Sequence, residues 1–326
     1  MEIKEYAPVV IPTLCRYKHF KECLESLMRC RHAENTDVYI GLDYPANEEH
    51  WDGYKKIDEY LESIKKHHKF KNLIVIRREK NYGLGKNGNA NQLVKYISEK
   101  YDRWIFSEDD NVFSVAFLDY MNKGLELFKN DKSVYAICGY KHFLDLKFDN
   151  NTFIRQNVDM NAWGYGIWKD RYVYNTFLTP FWFKKKFSLK SFNQIRKKNG
   201  NDRAYHFYMF KNEKPNTFCI TDIVMSVFIF LYNLDVITPY ISHVRNMGMD
   251  GSGASFKDIK QGISIKYEKQ SIYQEASFDY IGSGLENYEH NRSVYKHHGY
   301  GNFSIFKLGY YIIKDYIRNV FNYKIR

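Results

Sequence analysis

The sequence predicts an α/β fold, in which a mostly parallel sheet carries helices on both faces and a helical extension follows toward the C-terminus. Two observations support this prediction. Over roughly the first 140 residues, short apolar runs alternate with helical patterns, and such alternation builds parallel sheets covered on both sides. The closing stretch, 303–326, repeats apolar and aromatic residues at helical spacing instead.

The predicted elements follow one another regularly in the first part of the chain. Strands are expected at the apolar runs 8–13, 38–42, 73–77, 103–106 and 134–140. The helices between them are marked by Phe20, Leu24, Leu27 and Met28, by Tyr54, Ile57, Leu61 and Ile64, by Leu93, Val94 and Ile97, and by Phe117, Met121 and Phe128. From about 141 to 250 the alternation breaks down, apart from an apolar helix around 222–232.

Composition narrows the classes of function. The chain has 326 residues and a formal net charge of +11, which favours acidic partners such as nucleic acid, an anionic membrane or phosphorylated substrates. No window approaches the roughly 20 apolar residues of a spanning helix, and the N-terminus lacks the order of a signal peptide. We therefore expect a cytoplasmic protein, and the five cysteines, which form no CxxC pair, are expected to be reduced thiols.

Polar residues follow the predicted strands at the points where they end. Ligands of parallel sheets bind beyond the carboxyl ends of the strands, so these residues are candidates for one site. They are Pro12, Thr13 and Arg16 after the first strand, Asp43 after the second, Arg77, Arg78 and Asn81 after the third, and Glu108, Asp109 and Asp110 after the fourth. A solvated loop explains any one of them alone, but the coincidence of four strand ends favours a site.

The acidic triplet Glu108-Asp109-Asp110 is the most informative of these groups. Hard divalent cations prefer carboxylate oxygens and complete their shell with water and substrate phosphates. A triplet placed directly after the apolar strand "RWIF" is therefore a candidate Mn²⁺ or Mg²⁺ site facing a diphosphate, and a solvated turn is the alternative.

Three further segments are candidates, each with a structural alternative. The loop "NYGLGKNGNAN" with Lys86 allows close backbone approach to a ligand, or is a flexible connection into a helix. In "NAWGYGIWKDR", Trp163 and Gly164 suit an aromatic platform for a sugar ring, or pack in the core. Asp222 precedes an apolar helix, where it could serve as a catalytic base or cap the helix.

Several of these motifs together resemble one enzyme family. The segments "PVVIPTLCRYKHFKECLESL", "REKNYGLGKNGN", "RWIFSEDDNVF", "NAWGYGIWKDR" and "NMGMDGSG" resemble, in this order, glycosyltransferases of the GT-A fold. The resemblance is greatest to bacterial family 2-like enzymes and their N-acetylglucosaminyltransferase I-type relatives, and it spans roughly residues 8–255. It implies a GT-A catalytic domain over 1–255, with a nucleotide-sugar-binding half (1–140) and an acceptor-binding half (141–255), and an extension over 256–326.

The resemblance also implies roles for individual residues. By likeness of position, Asp110 is the metal ligand, Asp109 lies near the ribose, and Glu108 lies near the sugar or base. Asp222 corresponds to the catalytic base, which implies inversion of the anomeric configuration. The remaining residues implied to contact the nucleotide sugar are Arg16 and Asp43, with Asp250, Gly251 and Ser252 in a loop that orders over bound donor.

The function expected from the sequence is therefore a metal-dependent, inverting glycosyltransferase. It would move a sugar from a nucleoside diphosphate donor, most simply UDP-linked, to a hydroxyl of a cell-surface glycan or lipid-linked acceptor in polysaccharide biosynthesis. One alternative is a sugar-phosphate nucleotidyltransferase, which the absence of glycine in "PTLCRYKHF" disfavours. Another is an inactive sugar-nucleotide-binding protein, which stays open because Ala254, Ser255 and Phe256 stand where relatives commonly place a histidine.

The excess positive charge is concentrated in two segments. Lysines and arginines mix with aromatic residues over 181–198, and Lys307, Lys314 and Arg318 fall on one helical stripe near the C-terminus. Such segments suit a helix at the surface of an anionic membrane, which implies peripheral contact with the inner face of the cell membrane. A terminal helix packed on the domain is the alternative. No nucleic-acid-binding module is found, so nucleic acid is not an expected partner.

Overall fold

The computed structural model describes most of the chain. The described residues are 3–85, 87–142, 152–157, 160–172, 180–212, 221–253, 267–275, 278–281, 285–286 and 304–323. Lys86, which the sequence predicts to bind the nucleotide sugar, lies outside this part, as do residues 254–256 after the glycine-rich loop.

Strands and helices alternate through the first part of the chain as predicted. The strands are β1 (Val9–Thr13), β2 (Asp37–Leu42), β3 (Asn72–Arg77), β4 (Arg103–Phe106), β5 (Asn111–Phe113), β6 (Val134–Cys138), β7 (Phe153–Gln156), β8 (Tyr165–Trp168), β9 (Asp235–Pro239), β10 (Val244–Asn246) and β11 (Leu285–Glu286). The helices are α1 (Tyr17–Met28), α2 (Trp51–Ile64), α3 (Asn89–Ser98), α4 (Phe117–Leu127), α5 (Lys169–Tyr172), α6 (Pro180–Lys186), α7 (Leu189–Asn212), α8 (Thr221–Leu231) and α9 (Ile305–Tyr323).

The main sheet confirms the predicted α/β class. Its strand order is β11-β7-β9-β6-β8-β4-β1-β2-β3. The block β3-β2-β1-β4 is parallel throughout, and β6 and β9 are parallel to each other. Strand β8 runs antiparallel to both of its neighbours, β4 and β6. The carboxyl ends of β1 to β4, β6 and β9 therefore lie along one edge of the sheet.

Helices cover both faces of this sheet because the strands are apolar on both sides. Along β1, Val9 and Ile11 pack in one core with apolar residues of α1, α2 and α4. Val10 between them packs in the other core, with residues of α3, α7 and α8. Burial on both faces is typical of parallel strands and explains why these strands are continuous apolar runs.

A second, small sheet positions the acidic triplet. Strand β5 begins directly after Asp110 and pairs antiparallel with β10, with Asn111 opposite Asn246. The backbone N–H of Met247 also donates to the carbonyl of Asp110, at 2.8 Å. This pairing brings the glycine-rich loop that follows β10 directly beside the three carboxylates.

The C-terminal extension ends in the predicted helix. Helix α9 lies against α7, where the rings of Tyr205 and Tyr311 are 5.5 Å apart, and Leu308 is buried. Within the described residues, no helix is both long enough and apolar enough to cross a membrane.

The region after residue 141 differs most from the sequence expectation. Short strands β7 to β11 lie where no alternation was predicted, and β6 ends at Cys138, before the predicted limit of 140. Strands of two to five residues are too short for a period-two pattern to be distinguished from a loop.

Candidate active site

The acidic triplet lies against a single arginine at the carboxyl edge of the sheet. Arg16, in the turn between β1 and α1, forms ion pairs with Asp109 and with Asp110; its Nη1 lies 2.8 Å from Asp110 Oδ2. Asp109 also accepts a hydrogen bond from Thr13 Oγ1 at 2.8 Å. Asp109 and Asp110 are only 6% and 5% exposed. The triplet is therefore not a solvated turn, and Arg16 and Thr13 lie beside it as predicted.

The other carboxylate oxygen of Asp110 is held by the last residue of β10. Asn246 Nδ2 donates to Asp110 Oδ1 at 2.8 Å, and Gly248 N donates to Asn246 Oδ1 at 3.0 Å. A Cβ atom at Gly248 would lie 2.0 Å from Asp110 Oδ2 and 3.1 Å from Arg16 Nη1. Only glycine fits at this position without displacing the ion pair.

Carboxyl groups outnumber positively charged groups in this cluster. Burial raises the pKa of Glu108 well above its ordinary value, and the nearby carboxylates of Asp110, Asp222 and Asp109 raise it further, against the opposing effect of Arg16. Burial also raises the pKa of Asp110, again despite Arg16. The guanidinium itself stays charged, because Asp109 and Asp110 raise its pKa and outweigh the effect of burial. One guanidinium thus compensates several carboxylates only in part.

Asp222 belongs to the same cluster. It lies in the first turn of α8 and is partly exposed, where the helix N-terminus favours a carboxylate. Its charge is close enough to Glu108 to raise the pKa of that group. Its backbone carbonyl accepts a hydrogen bond from Ser226 Oγ, one turn later in the helix, at 2.7 Å.

Asp43 plays a different part from the triplet. Its carboxylate accepts hydrogen bonds from three backbone N–H groups, those of Tyr44 (3.0 Å), Tyr82 (2.9 Å) and Gly83 (2.8 Å). Asn81 Nδ2 donates to the carbonyl of Tyr44, at 2.5 Å. Asp43 and Asn81 therefore tie the loop after β3 to the end of β2. Contact of either residue with a nucleotide remains a prediction.

Arg78 presents an incompletely satisfied cation at the same edge. Its Nε donates to Asn89 Oδ1 at 3.0 Å, and Asn89 Nδ2 donates to the carbonyl of Gly41 at 2.7 Å. Within the described residues, Arg78 Nη2 is buried without a hydrogen-bond partner. Arg78 as a whole is partly exposed, and a guanidinium fixed by an amide suits an anionic ligand such as a phosphate.

The two candidate residues of the aromatic motif after residue 160 differ in their surroundings. Trp163 is half-buried, and its ring lies 4.6 Å from that of Tyr140 and 5.8 Å from that of Tyr267. Gly164 has a φ of 79°, and a Cβ there would lie 3.1 Å from a methyl group of Val244. The core accounts for this glycine, whereas the partly exposed indole of Trp163 keeps the sugar-platform prediction open.

The glycine-rich loop contacts α1 through His19 and Asp250, a contact that the sequence analysis missed. His19 Nε2 lies 3.1 Å from Asp250 Oδ2, and Ser252 Oγ donates to Asp250 Oδ1 at 2.6 Å. Burial raises the pKa of Asp250, but hydrogen bonds from Ser252 Oγ and from the backbone N–H of Ser252 outweigh it and lower the pKa. Gly251 follows with a φ of 89°. His19 lies one helical turn after Arg16, and that spacing is the only signal in the sequence for its place at the site.

The residues present fit a divalent cation. In the described part of the chain, no group of three or more His, Cys, Asp and Glu could hold a metal ion by itself. A cation would therefore depend on one or two carboxylates and on substrate phosphates, as Mg²⁺ commonly does. Each oxygen of Asp110 accepts one hydrogen bond and retains a lone pair. Burial and neighbouring carboxylates disfavour the charged forms of Glu108 and Asp110, and a bound cation would relieve this.

Comparisons with known proteins give no match in sequence and distant matches in structure. No family model matches the chain, and no curated protein matches it. Among solved structures, the chain is similar to S. aureus TarS 1-349, with 14% identity over 53% of this chain and 49% of that chain and a TM-score of 0.35. It is also similar to the mannosyltransferase PcManGT from Pyrobaculum calidifontis, solved in complex with GDP-Man and Mn²⁺, with 9% identity over 52% and 46% of the two chains and a TM-score of 0.36.

A third solved structure is similar at the same level. Another structure of S. aureus TarS 1-349, in complex with UDP-GlcNAc, has a TM-score of 0.34 and 14% identity, and covers 53% of this chain and 48% of that chain. The chain thus spans about half the length of the solved chains that it matches. Likeness at this level of identity and TM-score assigns neither substrate nor activity to this chain.

Proposed function

We propose that this protein is a metal-dependent glycosyltransferase that transfers a sugar from a nucleoside diphosphate, most simply UDP, to a hydroxyl group of a glycan or lipid-linked acceptor. The observation that carries the proposal is the buried cluster of Asp109 and Asp110 with Arg16, joined by Asn246 and Gly248. The ends of β1, β4 and β10 supply it. Such a cluster suits a cation and a diphosphate better than it suits the stability of the fold.

The protein groups divide the work of binding the donor. When bound at the carboxylates, a divalent cation would neutralise charge on the departing diphosphate. The partly exposed guanidinium of Arg78 would bind phosphate oxygens. The half-buried indole of Trp163 can pack on the apolar face of a sugar ring. The contact of His19 with Asp250 would hold the glycine-rich loop near bound donor.

Asp222 is the group best placed to act on the acceptor. An acceptor hydroxyl attacks the anomeric carbon, the bond from that carbon to the diphosphate oxygen breaks, and a carboxylate oxygen of Asp222 takes the hydroxyl proton. A single displacement of this kind inverts the anomeric configuration. Asp222 is partly exposed in the first turn of α8, so an acceptor hydroxyl can reach it.

A binding screen tests the donor half of the proposal before any acceptor is known. We expect UDP and UDP-linked sugars to raise the melting temperature of the wild-type chain, and to raise it further with Mn²⁺, because ligands that bind only the folded state stabilise it. Asp110→Asn should remove the manganese increment. Asp102→Asn, at an exposed aspartate before β4, is the matched control and should retain it.

A turnover assay tests the chemistry. Wild-type chain with manganese should release UDP slowly from the stabilising donor by hydrolysis, whereas Asp222→Asn should bind the donor and fail to transfer to an added acceptor. Pyrophosphate release from a sugar phosphate and UTP would instead assign a nucleotidyltransferase. Stabilisation by donor without release of UDP under any condition would assign a binding protein.

A further inference from the structure

Helix α9 exposes an apolar face that the rest of the described chain leaves uncovered. Phe306 is 86% exposed, Tyr310 59%, Ile313 60% and Ile317 47%. At about 100° per residue these four positions fall within about 60° of arc on the helix surface. They form one continuous strip, which we term the apolar strip of α9.

The opposite side of α9 is the side that packs on the protein. Leu308 is buried, and Tyr311 contacts Tyr205 of α7. The position of Leu308 is about 160–220° from the apolar strip around the helix axis. The strip therefore faces away from the domain, and its exposure follows from how α9 is docked.

Basic residues border the strip on one side. Lys307, Lys314 and Arg318 are exposed, and they lie about 70–110° around the helix from the centre of the strip. The sequence of α9 includes one acidic residue, Asp315. Basic side chains at the boundary of an apolar face are typical of helices that lie in the interface of an anionic membrane, where aliphatic stems stay apolar and charged ends reach the headgroups.

A second basic segment lies beside the part of α7 that α9 contacts, because Phe187 packs on Phe207 and Tyr208 of that part. Exposed lysines surround the start of α7, the helix on which α9 rests. They are Lys184, Lys185, Lys186 and Lys190, and Leu189 among them is 77% exposed. The whole chain carries a formal charge of +11, so the field around this region attracts an anionic surface.

We propose that the apolar strip of α9 inserts into the interface of a lipid bilayer containing anionic lipid, with Lys307, Lys314 and Arg318 at the headgroups. A second copy of the chain is a poorer occupant. In a twofold, antiparallel pairing of the same face, the two basic borders would lie along the same edge of the contact and repel each other. The proposal concerns a surface remote in sequence from the carboxylate cluster and does not depend on the proposed reaction.

Flotation of the full chain with lipid vesicles tests this proposal. The wild-type protein should float with vesicles of phosphatidylcholine mixed with phosphatidylglycerol, and weakly with phosphatidylcholine alone. Added salt should reduce binding, because it screens the basic border. The triple variant Lys307→Gln, Lys314→Gln and Arg318→Gln should bind roughly 100-fold more weakly, since each basic residue near such a surface contributes about fivefold.

A matched triple variant separates position from net charge. Lys66→Gln, Lys69→Gln and Lys71→Gln changes the net charge equally at exposed lysines near the end of α2 and the start of β3, and should float like the wild type. Phe306→Ser with Ile313→Ser should reduce flotation by at least about tenfold, because two apolar side chains lose their burial. Leu127→Ser, at an exposed leucine on α4, is the apolar control.

Three results would overturn the proposal. The first is absence of flotation of the wild type with anionic vesicles. The second is an equal loss of flotation in the two triple variants, and the third is a dimer in solution that Ile313→Ser dissociates. The last would assign the strip to a second copy. Melting curves of each variant show whether it is folded, and the salt dependence of the wild type tests the proposal without any substitution. Donor binding is measured separately, so its failure leaves this result standing.

Discussion

Two carboxylate sites at the same edge of the sheet are built in opposite ways. Asp43 is 3% exposed and is satisfied by backbone N–H groups of its own loop and of the loop after β3. Asp110 is equally buried, but it shares Arg16 with Asp109 and lies near Glu108. The first site contributes to the fold, because each hydrogen bond joins two loops. The second holds charge that the fold leaves partly uncompensated, which is typical of functional sites.

The largest expected effect is on the rate of transfer, on substitution of Asp110. Asp110→Asn should lower the rate of transfer by roughly 100- to 1000-fold, the usual loss when one preorganised electrostatic group is removed from a reacting centre. The free energy of unfolding should stay the same or rise, because like charge is removed beside Glu108. Turnover with manganese and urea unfolding measure the two effects. A variant that turns over normally contradicts the assignment of the site.

Arg16→Met should produce the largest loss of stability. Without its guanidinium, two buried carboxylates lose their counter-charge, and the loss of one partner of a buried pair typically costs about 3–5 kcal/mol. Added Mn²⁺ should raise the melting temperature of this variant more than that of the wild type, because the cation takes over the compensation.

Arg77→Met is the matched control for Arg16→Met. Arg77 pairs with Asp58 and Glu62 on the surface of α2, at 2.7 Å from each. Exposed pairs of this kind contribute about 0–1 kcal/mol. Its melting temperature should change little, and manganese should add no increment beyond that of the wild type. Equal changes in melting temperature for the two arginine variants, with and without manganese, would show that the ion pairs of Arg16 contribute no more than exposed pairs do.

Asp43→Ala should affect stability rather than chemistry. It removes the acceptor for the N–H groups of Tyr44, Tyr82 and Gly83, and buried donors left unsatisfied cost about 1–3 kcal/mol. Asp43→Asn keeps one acceptor oxygen and should lose less. Urea unfolding should rank the free energies of unfolding as wild type, then Asp43→Asn, then Asp43→Ala. A loss of donor binding in Asp43→Asn without loss of stability would move Asp43 into the second class of site.

His19→Asn should give the smallest effect. Its pair with the partly exposed Asp250 contributes less than about 1 kcal/mol. We expect unchanged stability and a few-fold weaker binding of UDP, measured by calorimetry, because the glycine-rich loop is held less firmly. His67→Asn, at an exposed histidine after α2, is the control, and equal binding by both variants would remove His19 from the site.

The two halves of the chain also differ in how far the sequence predicts them. Strands β1 to β4 are long apolar runs because both of their faces are buried, and their ends place Thr13, Arg16 and the acidic triplet together as expected. Strand β7 could not be predicted, because it contains Arg155, which pairs with Asp131 and Asp235 across the sheet. The contacts of Asn246, Gly248 and His19 depend on the pairing of β5 with β10, which three-residue strands do not reveal.

The reversed strand β8 has a consequence for how the protein emerges from the ribosome. Strand β4 is made early, but its partner on one side, β8, arrives about 60 residues later. Until then, the backbone groups of β4 beside the buried Trp104 and Ile105 form an open edge that can pair with other nascent chains. The N-terminal block therefore depends on the second half of the chain for protection during synthesis, and a fragment that stops before Tyr165 should aggregate.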